Sequence, residues 1–86
     1  MFDAQGCVTT EELLKTFGQR LHYVMSVRKM TQWEVADKAG ISHATVSNLW
    51  RARHIPTLYT VNAVAVALGV PVDWLCGRGE LEDVLK

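Results

Sequence analysis

The sequence predicts an all-α protein of five helices, with room for a short extra helix at its carboxyl end. Three observations lead there. The chain has only 86 residues and two prolines, Pro56 and Pro71. Its apolar residues recur at three- and four-residue steps. The periodic segments start at hydroxyl side chains that can cap a helix, Thr31, Ser42 and Thr57, and two of them stop at glycines, Gly40 and Gly69. A chain of this length closes one modest core, which must be helical, stapled by disulfides or bound to metal. The cysteines favour the first option. Cys7 and Cys76 are too far apart in sequence for a zinc knuckle, and a single bridge is no disulfide framework, so both read as ordinary reduced thiols.

Each helix can be justified in turn. From Glu11 to about Arg28 the apolar residues Leu13, Leu14, Phe17, Leu21, Val24 and Met25 form one face, after a Thr9/Thr10 start with acids in the first turn. Thr31 caps a second helix, Glu34 completes a capping box three residues later, and Val35, Ala36 and Ala39 supply the buried side up to Gly40. Ser42 then caps a third helix running to about Arg51, with Ile41, Val46 and Leu49 as inward anchors. Thr57 caps the fourth, Leu58 to Leu68, where three valines suggest a strand but eleven residues with three alanines favour a buried helix. Pro71 sits at the first turn of a short fifth helix, Val72 to Cys76, where a missing amide proton costs nothing. The tail "ELEDVLK" puts Leu81, Val84 and Leu85 on one side, as a last helix or a frayed end. The chain thus divides into an amino-terminal segment at 1–10, left open between order and disorder, a domain at 11–78 and a tail at 79–86.

Charge is neutral overall but uneven along the chain. Residues 1–14 carry Asp3, Glu11 and Glu12 and no cation. Residues 15–54 carry Lys15, Arg20, Arg28, Lys29, Lys38, Arg51 and Arg53 against Glu34 and Asp37. Residues 55–86 return to a negative balance. A basic middle is either a set of solvated helix faces or an anion-binding footprint, and motif context has to decide. No stretch approaches the ~20 apolar residues of a membrane span, and Asp3 stands where a signal peptide would be positive. A cytoplasmic protein with no membrane partner is expected.

The context is "TQWEVADKAGISHATVSNLWRARHIP", residues 31–56. Two short helices are joined by a turn containing glycine, and the second is apolar inside and small and polar outside, which is the helix-turn-helix arrangement. Gln32, Val35, Ala36, Ala39, Gly40, Ile41, Val46 and Leu49 fit it wherever packing dictates the residue. Ala36 must be small where the helices cross, and Gly40 can take the positive backbone angle of the turn.

This stretch resembles the helix-turn-helix of the phage repressor and Cro (XRE-type) family of DNA-binding domains, and "LGVPVDWLCGRG" is similar to the ending of their five-helix, lambda-repressor-like fold. The resemblance covers roughly residues 15–79. It implies a double-stranded DNA-binding transcriptional regulator, in the first place a phage or prophage repressor or Cro-like protein, located in the bacterial or phage-infected cytoplasm with the nucleoid. It implies base reading by His43, Ala44, Ser47 and Asn48 in the major groove. Phosphate contacts would come from Gln32, Ser42, Thr45, Arg51, Arg53, His54 and Thr57, the last through free amides at a helix start. On this reading the polar helix specifies and the cations behind it hold the backbone. Two-fold dimers on an inverted repeat, with half-sites roughly 34 Å apart, are the expected geometry. Without room for a separate oligomerisation domain, the dimer contact is expected at Trp74, Leu75, Leu81, Val84 and Leu85. The alternative is an antitoxin or restriction-modification controller that also binds a protein partner, such as a toxin or another regulator.

The sequence departs from the family at three places. Trp50 and Met25 stand where a glutamate and an arginine commonly pair, and these two apolar residues are expected to pack together instead. Ala52 stands in place of glycine, which suggests a loop that needs no left-handed residue there. Trp33 follows Gln32, and its indole is expected either on the DNA backbone or half-buried on the surface. Trp74 reads as a core or dimer-face residue. The spacing of His22, His43 and His54 fits no metal pair, and His22 is expected at the surface or in helix packing. No serine, cysteine or carboxylate pattern suggests catalysis, so no catalytic residue, metal or cofactor is expected.

Overall fold

The computed structural model describes residues 9–85, Leu85 by its backbone alone. Asp3 and Cys7, and most of the segment at 1–10, lie outside the described residues. Five α-helices follow one another: α1 (Thr10–Arg28), α2 (Gln32–Ala39), α3 (His43–Trp50), α4 (Leu58–Leu68) and α5 (Val72–Leu75). Of the two forms expected for the tail, a last helix or a frayed end, the chain adopts a helix, and it is of the tighter 3₁₀ kind, Leu81–Leu85.

Side chains in the sequence set the starts of the helices. Thr9 and Thr31 each accept a hydrogen bond from the amide three residues on, at 3.1 Å in both cases, and Glu12 and Glu34 return the bond to the cap residue. Ser42 and Thr57 cap α3 and α4 through Thr45 N and Thr60 N. Pro71 caps α5 by backbone alone. The stops of α1 to α4 share one geometry, in which a left-handed residue lets its own amide and the next one turn back onto the last helical carbonyls. Gly40 and Gly69 take that conformation at φ 71°. So do Lys29 and Ala52, each at φ 55°. At α3 the closing bonds are Ala52 N to Leu49 O (3.0 Å) and Arg53 N to Asn48 O (3.2 Å). The expectation that Ala52 would not be left-handed is therefore corrected: ending α3 this way requires the conformation, and alanine accepts its strain.

One core gathers the inward faces. Phe17, Leu21, Val24 and Met25 of α1 meet Val35 and Ala36 of α2, Val46 and Leu49 of α3, and Val61, Val64, Ala65 and Leu68 of α4. α2 packs on α3 and α4, while α1 packs on α3 and α5. Among the described residues the core holds no buried polar or charged residue, so apolar contact alone stabilises it. Trp74 and Leu75 belong to it, at 3% and 0% exposure. Both were expected at a dimer contact, and that expectation is corrected: α5 lies against α1 and α4 and turns both side chains into their own domain.

Arg20 ties the chain beyond α5 to α1, a role not anticipated from the sequence. Its guanidinium donates to the carbonyls of Trp74 (3.2 Å), Gly77 (3.4 Å), Arg78 (3.1 Å) and Gly79 (2.8 Å), and its charge lies 5.0 Å from the centre of the Trp74 ring. The indole N–H of Trp74 donates to Glu80 O at 2.8 Å. Trp50 has a further partner that the sequence did not show. Its ring stacks on His22, with centroids 3.6 Å apart, and His22 Nε2 donates to the Trp50 carbonyl at 2.9 Å. Met25 is buried in the core. Trp50 also packs against the core that holds Met25, while imidazole covers one face of the indole, and His22 is a helix-packing residue.

Candidate nucleic-acid interface

α3 is the second helix of the pair and is amphipathic in the required sense. Val46 and Leu49 are buried against α2, and Ala44 is exposed on the opposite side, with Ser47 and Asn48 half-buried. Those outward residues are short, so a helix backbone can approach the edges of base pairs closely. His43 opens the helix and lies flat on Trp33, with ring centroids 3.9 Å apart and planes 13° apart. Trp33 is 68% exposed, which excludes the half-buried indole.

The expected phosphate contacts fall into two kinds. At the helix starts, hydroxyls are already engaged: Ser42 and Thr45 share a 2.8 Å hydrogen bond, and Thr57 donates to Thr60 at 3.0 Å. What remains for an anion there is backbone N–H. The amides of Gln32 and Trp33 at α2, and of Leu58 and Tyr59 at α4, have no carbonyl four residues back within a helix to receive them. Behind α3, Arg51, Arg53 and His54 are exposed, and none forms an ion pair or side-chain hydrogen bond with another described residue. Three side chains without a partner among the described residues, all on one connection, are electrostatically suited to a polyanion. A cleft of about 200 Å³ joins Thr45, Asn48, His54 and Thr57, so the fold brings together a base-reading candidate and three phosphate candidates that the sequence separates.

The tail residues are placed differently. Leu81 is 41% exposed, Val84 packs against the core, and the side chain of Leu85 lies outside the described residues. Among the described residues no cluster of His, Cys, Asp and Glu is placed to hold a metal. Partial burial, and then the neighbouring Asp73 carboxylate, push the Cys76 thiol above its ordinary range, which makes it a weak nucleophile at neutral pH. No helix among the described residues is long and apolar enough to cross a membrane.

A small all-helical fold whose α2 and α3 meet through a glycine turn, with a polar face on α3, defines a helix-turn-helix domain. The helix-turn-helix family model matches residues 28–75, and the chain belongs to that family, of the XRE type. It is 39% identical over 66 residues to the immunity repressor protein of Bacillus phage phi105, covering 77% of this chain and 46% of that protein. It is 32% identical over 69 residues to the HTH-type transcriptional regulator for conjugative element R391 of Providencia rettgeri, covering 79% of this chain and 32% of the relative. The chain thus spans less than half the length of these relatives. Among solved structures, the restriction-modification controller protein C.AhdI from Aeromonas hydrophila superposes with a TM-score of 0.68 at 26% identity, over 72% of this chain and 94% of that one.

Proposed function

We propose that this protein is a sequence-specific double-stranded DNA-binding transcriptional regulator, a phage or prophage repressor or Cro-like protein acting as a dimer on an inverted repeat. One observation carries the reading: α3 buries Val46 and Leu49 while turning Ala44, Ser47 and Asn48 outward, and the exposed Arg51 and Arg53, which pair with no other described residue, follow directly behind. His43, Ala44, Ser47 and Asn48 read base edges. Gln32, Ser42, Thr45 and Thr57 contact phosphate chiefly through the amides at their helix starts, and Arg51, Arg53 and His54 hold the backbone by charge. The similarity to an immunity repressor and to a regulator of a conjugative element supports this reading. Such a protein works in the cytoplasm, on the nucleoid.

The domain extends from about residue 11 to 78, with 79–86 as its tail. With Trp74 and Leu75 in the core, the dimer contact is assigned to exposed apolar side chains, either Leu81 in the tail or Ile55, Leu58 and Tyr59 after α3. The likeness to C.AhdI, which covers nearly the whole of that chain, favours a second reading as a restriction-modification controller. That protein would use the same DNA site and differ in the genes it serves. The test is selection of the protein on a random duplex library at about 150 mM salt, where non-specific binding is screened. An enriched inverted repeat is expected. A folded protein that enriches no sequence overturns the reading.

A further inference from the structure

An indole that is 68% exposed contributes little to the core, so its position calls for another reason. Trp33 is the second residue of α2 and His43 the first of α3. The start of α2 is held by the Thr31–Glu34 capping box and that of α3 by the Ser42–Thr45 bond. Two rigid backbone segments therefore present the two rings to each other, 3.9 Å apart and nearly parallel. One face of the imidazole is covered by the indole. Neither of its nitrogens makes a hydrogen bond to another described residue, so both ring edges remain available.

We infer that Trp33 is a specificity-determining positioning residue: by stacking on His43 it fixes the plane of the imidazole, and the pair reads one base pair of the half-site as a unit. This rests on the DNA-binding reading above. The physical argument is preorganisation. A histidine at the first position of a helix otherwise samples several rotamers, and a hydrogen bond to a base edge must then also order the ring. Stacking orders it beforehand, and the favourable contact of two flat rings holds it there. Trp33 need not touch a base to do this.

The experiment uses the full chain and the sequence enriched by selection. His43→Ala first identifies the base pair at which discrimination falls. Trp33→Ala should lower discrimination at that same base pair about fivefold, or about 1 kcal/mol. It should leave the other positions and the salt dependence unchanged. Trp33→Phe, which keeps a flat ring, should restore most of the loss. The double variant Trp33→Ala/His43→Ala should discriminate no worse than His43→Ala alone, because the indole acts only through the imidazole. In the free protein, the His43 ring protons should lose an upfield ring-current shift in Trp33→Ala.

Equal weakening on all sequences would make Trp33 a backbone contact and overturn the inference. So would unchanged discrimination, or a loss that phenylalanine does not repair. These outcomes leave DNA reading by the wild-type protein intact. Failure of the wild type to enrich any sequence would instead overturn the DNA-binding reading itself and the inference with it.

Discussion

Replacing Arg20 with methionine keeps a long aliphatic stem and removes the charged fork that holds residues 74–79 against α1. Of the four carbonyls it reaches, Gly77 O at 3.4 Å is near the limit of a useful bond, which leaves Trp74, Arg78 and Gly79 at 3.2, 3.1 and 2.8 Å. Hydrogen bonds from a charged donor contribute ~1.5–3 kcal/mol when desolvated, but water replaces them readily at exposed carbonyls, so about 0.5–1 kcal/mol each is the appropriate scale here. The cation above the Trp74 ring adds about 0.5 kcal/mol. The expected loss is about 2–3.5 kcal/mol. For a domain of this size each kilocalorie moves the melting temperature by ~4–8 °C, so thermal unfolding followed by circular dichroism should show a fall of roughly 8–28 °C. Arg20→Lys should recover little of it, since an ammonium cannot span carbonyls spread across the loop. Amides of residues 76–80 should exchange faster in both variants. A melting temperature within about 4 °C of wild type, less than one kilocalorie's worth, would refute the reasoning.

The left-handed stop of α1 predicts that Lys29→Gly stabilises the fold by about 0.5–1 kcal/mol, the relief of ~1–2 kcal/mol of backbone strain less the greater freedom of glycine in the unfolded chain. A lower urea midpoint would contradict it. Ala52→Gly should gain less, because the Ala52 methyl packs against α1 at Gly18. Gly18 itself is buried in mid-helix, and a Cβ added there would stand 3.5 Å from Ala52 Cβ, an ordinary contact. Gly18→Ala should therefore raise stability by about 0.5–1 kcal/mol, and a destabilised variant would reveal overpacking. Asn48→Ala should cost about 1–3 kcal/mol at one base pair and relax preference there. Arg51→Ala should instead weaken binding to all sequences alike and flatten its salt dependence. Identical behaviour of these two variants would remove the distinction between reader and clamp. Leu58→Glu and Leu81→Glu, compared by sedimentation, identify the dimer contact as whichever substitution yields a monomer. Loss of neither dimer would exclude both surfaces.

Much of this protein is legible because the information is local. Capping by Thr31, Ser42 and Thr57, and stopping by Gly40 and Gly69, depend on side chains within four residues of the bond they make, so the helix order follows from the text of the chain. The inward anchors Val35, Val46 and Leu49 were legible for the same reason, since a helix repeats its faces at fixed intervals. The candidate base readers follow from that register together with the family resemblance.

What the sequence withheld is what depends on contact between distant segments or on a conformation that local chemistry disfavours. Ala52 and Lys29 adopt a left-handed backbone that their side chains do not advertise, because the closing bonds of α3 and α1 outweigh a small strain. Trp74 and Leu75 looked available for a partner until α1 and α4 covered them. Arg20 lies more than fifty residues from the carbonyls it gathers. The pairing of Trp33 with His43 arises only when the turn at Gly40 brings two helix starts side by side. Helix formation and polarity are set by interactions a few residues long and so were determined by the sequence itself. Which rings stack, which aromatic is buried and which cation binds carbonyls were decided only by tertiary structure, because packing assigns partners through space.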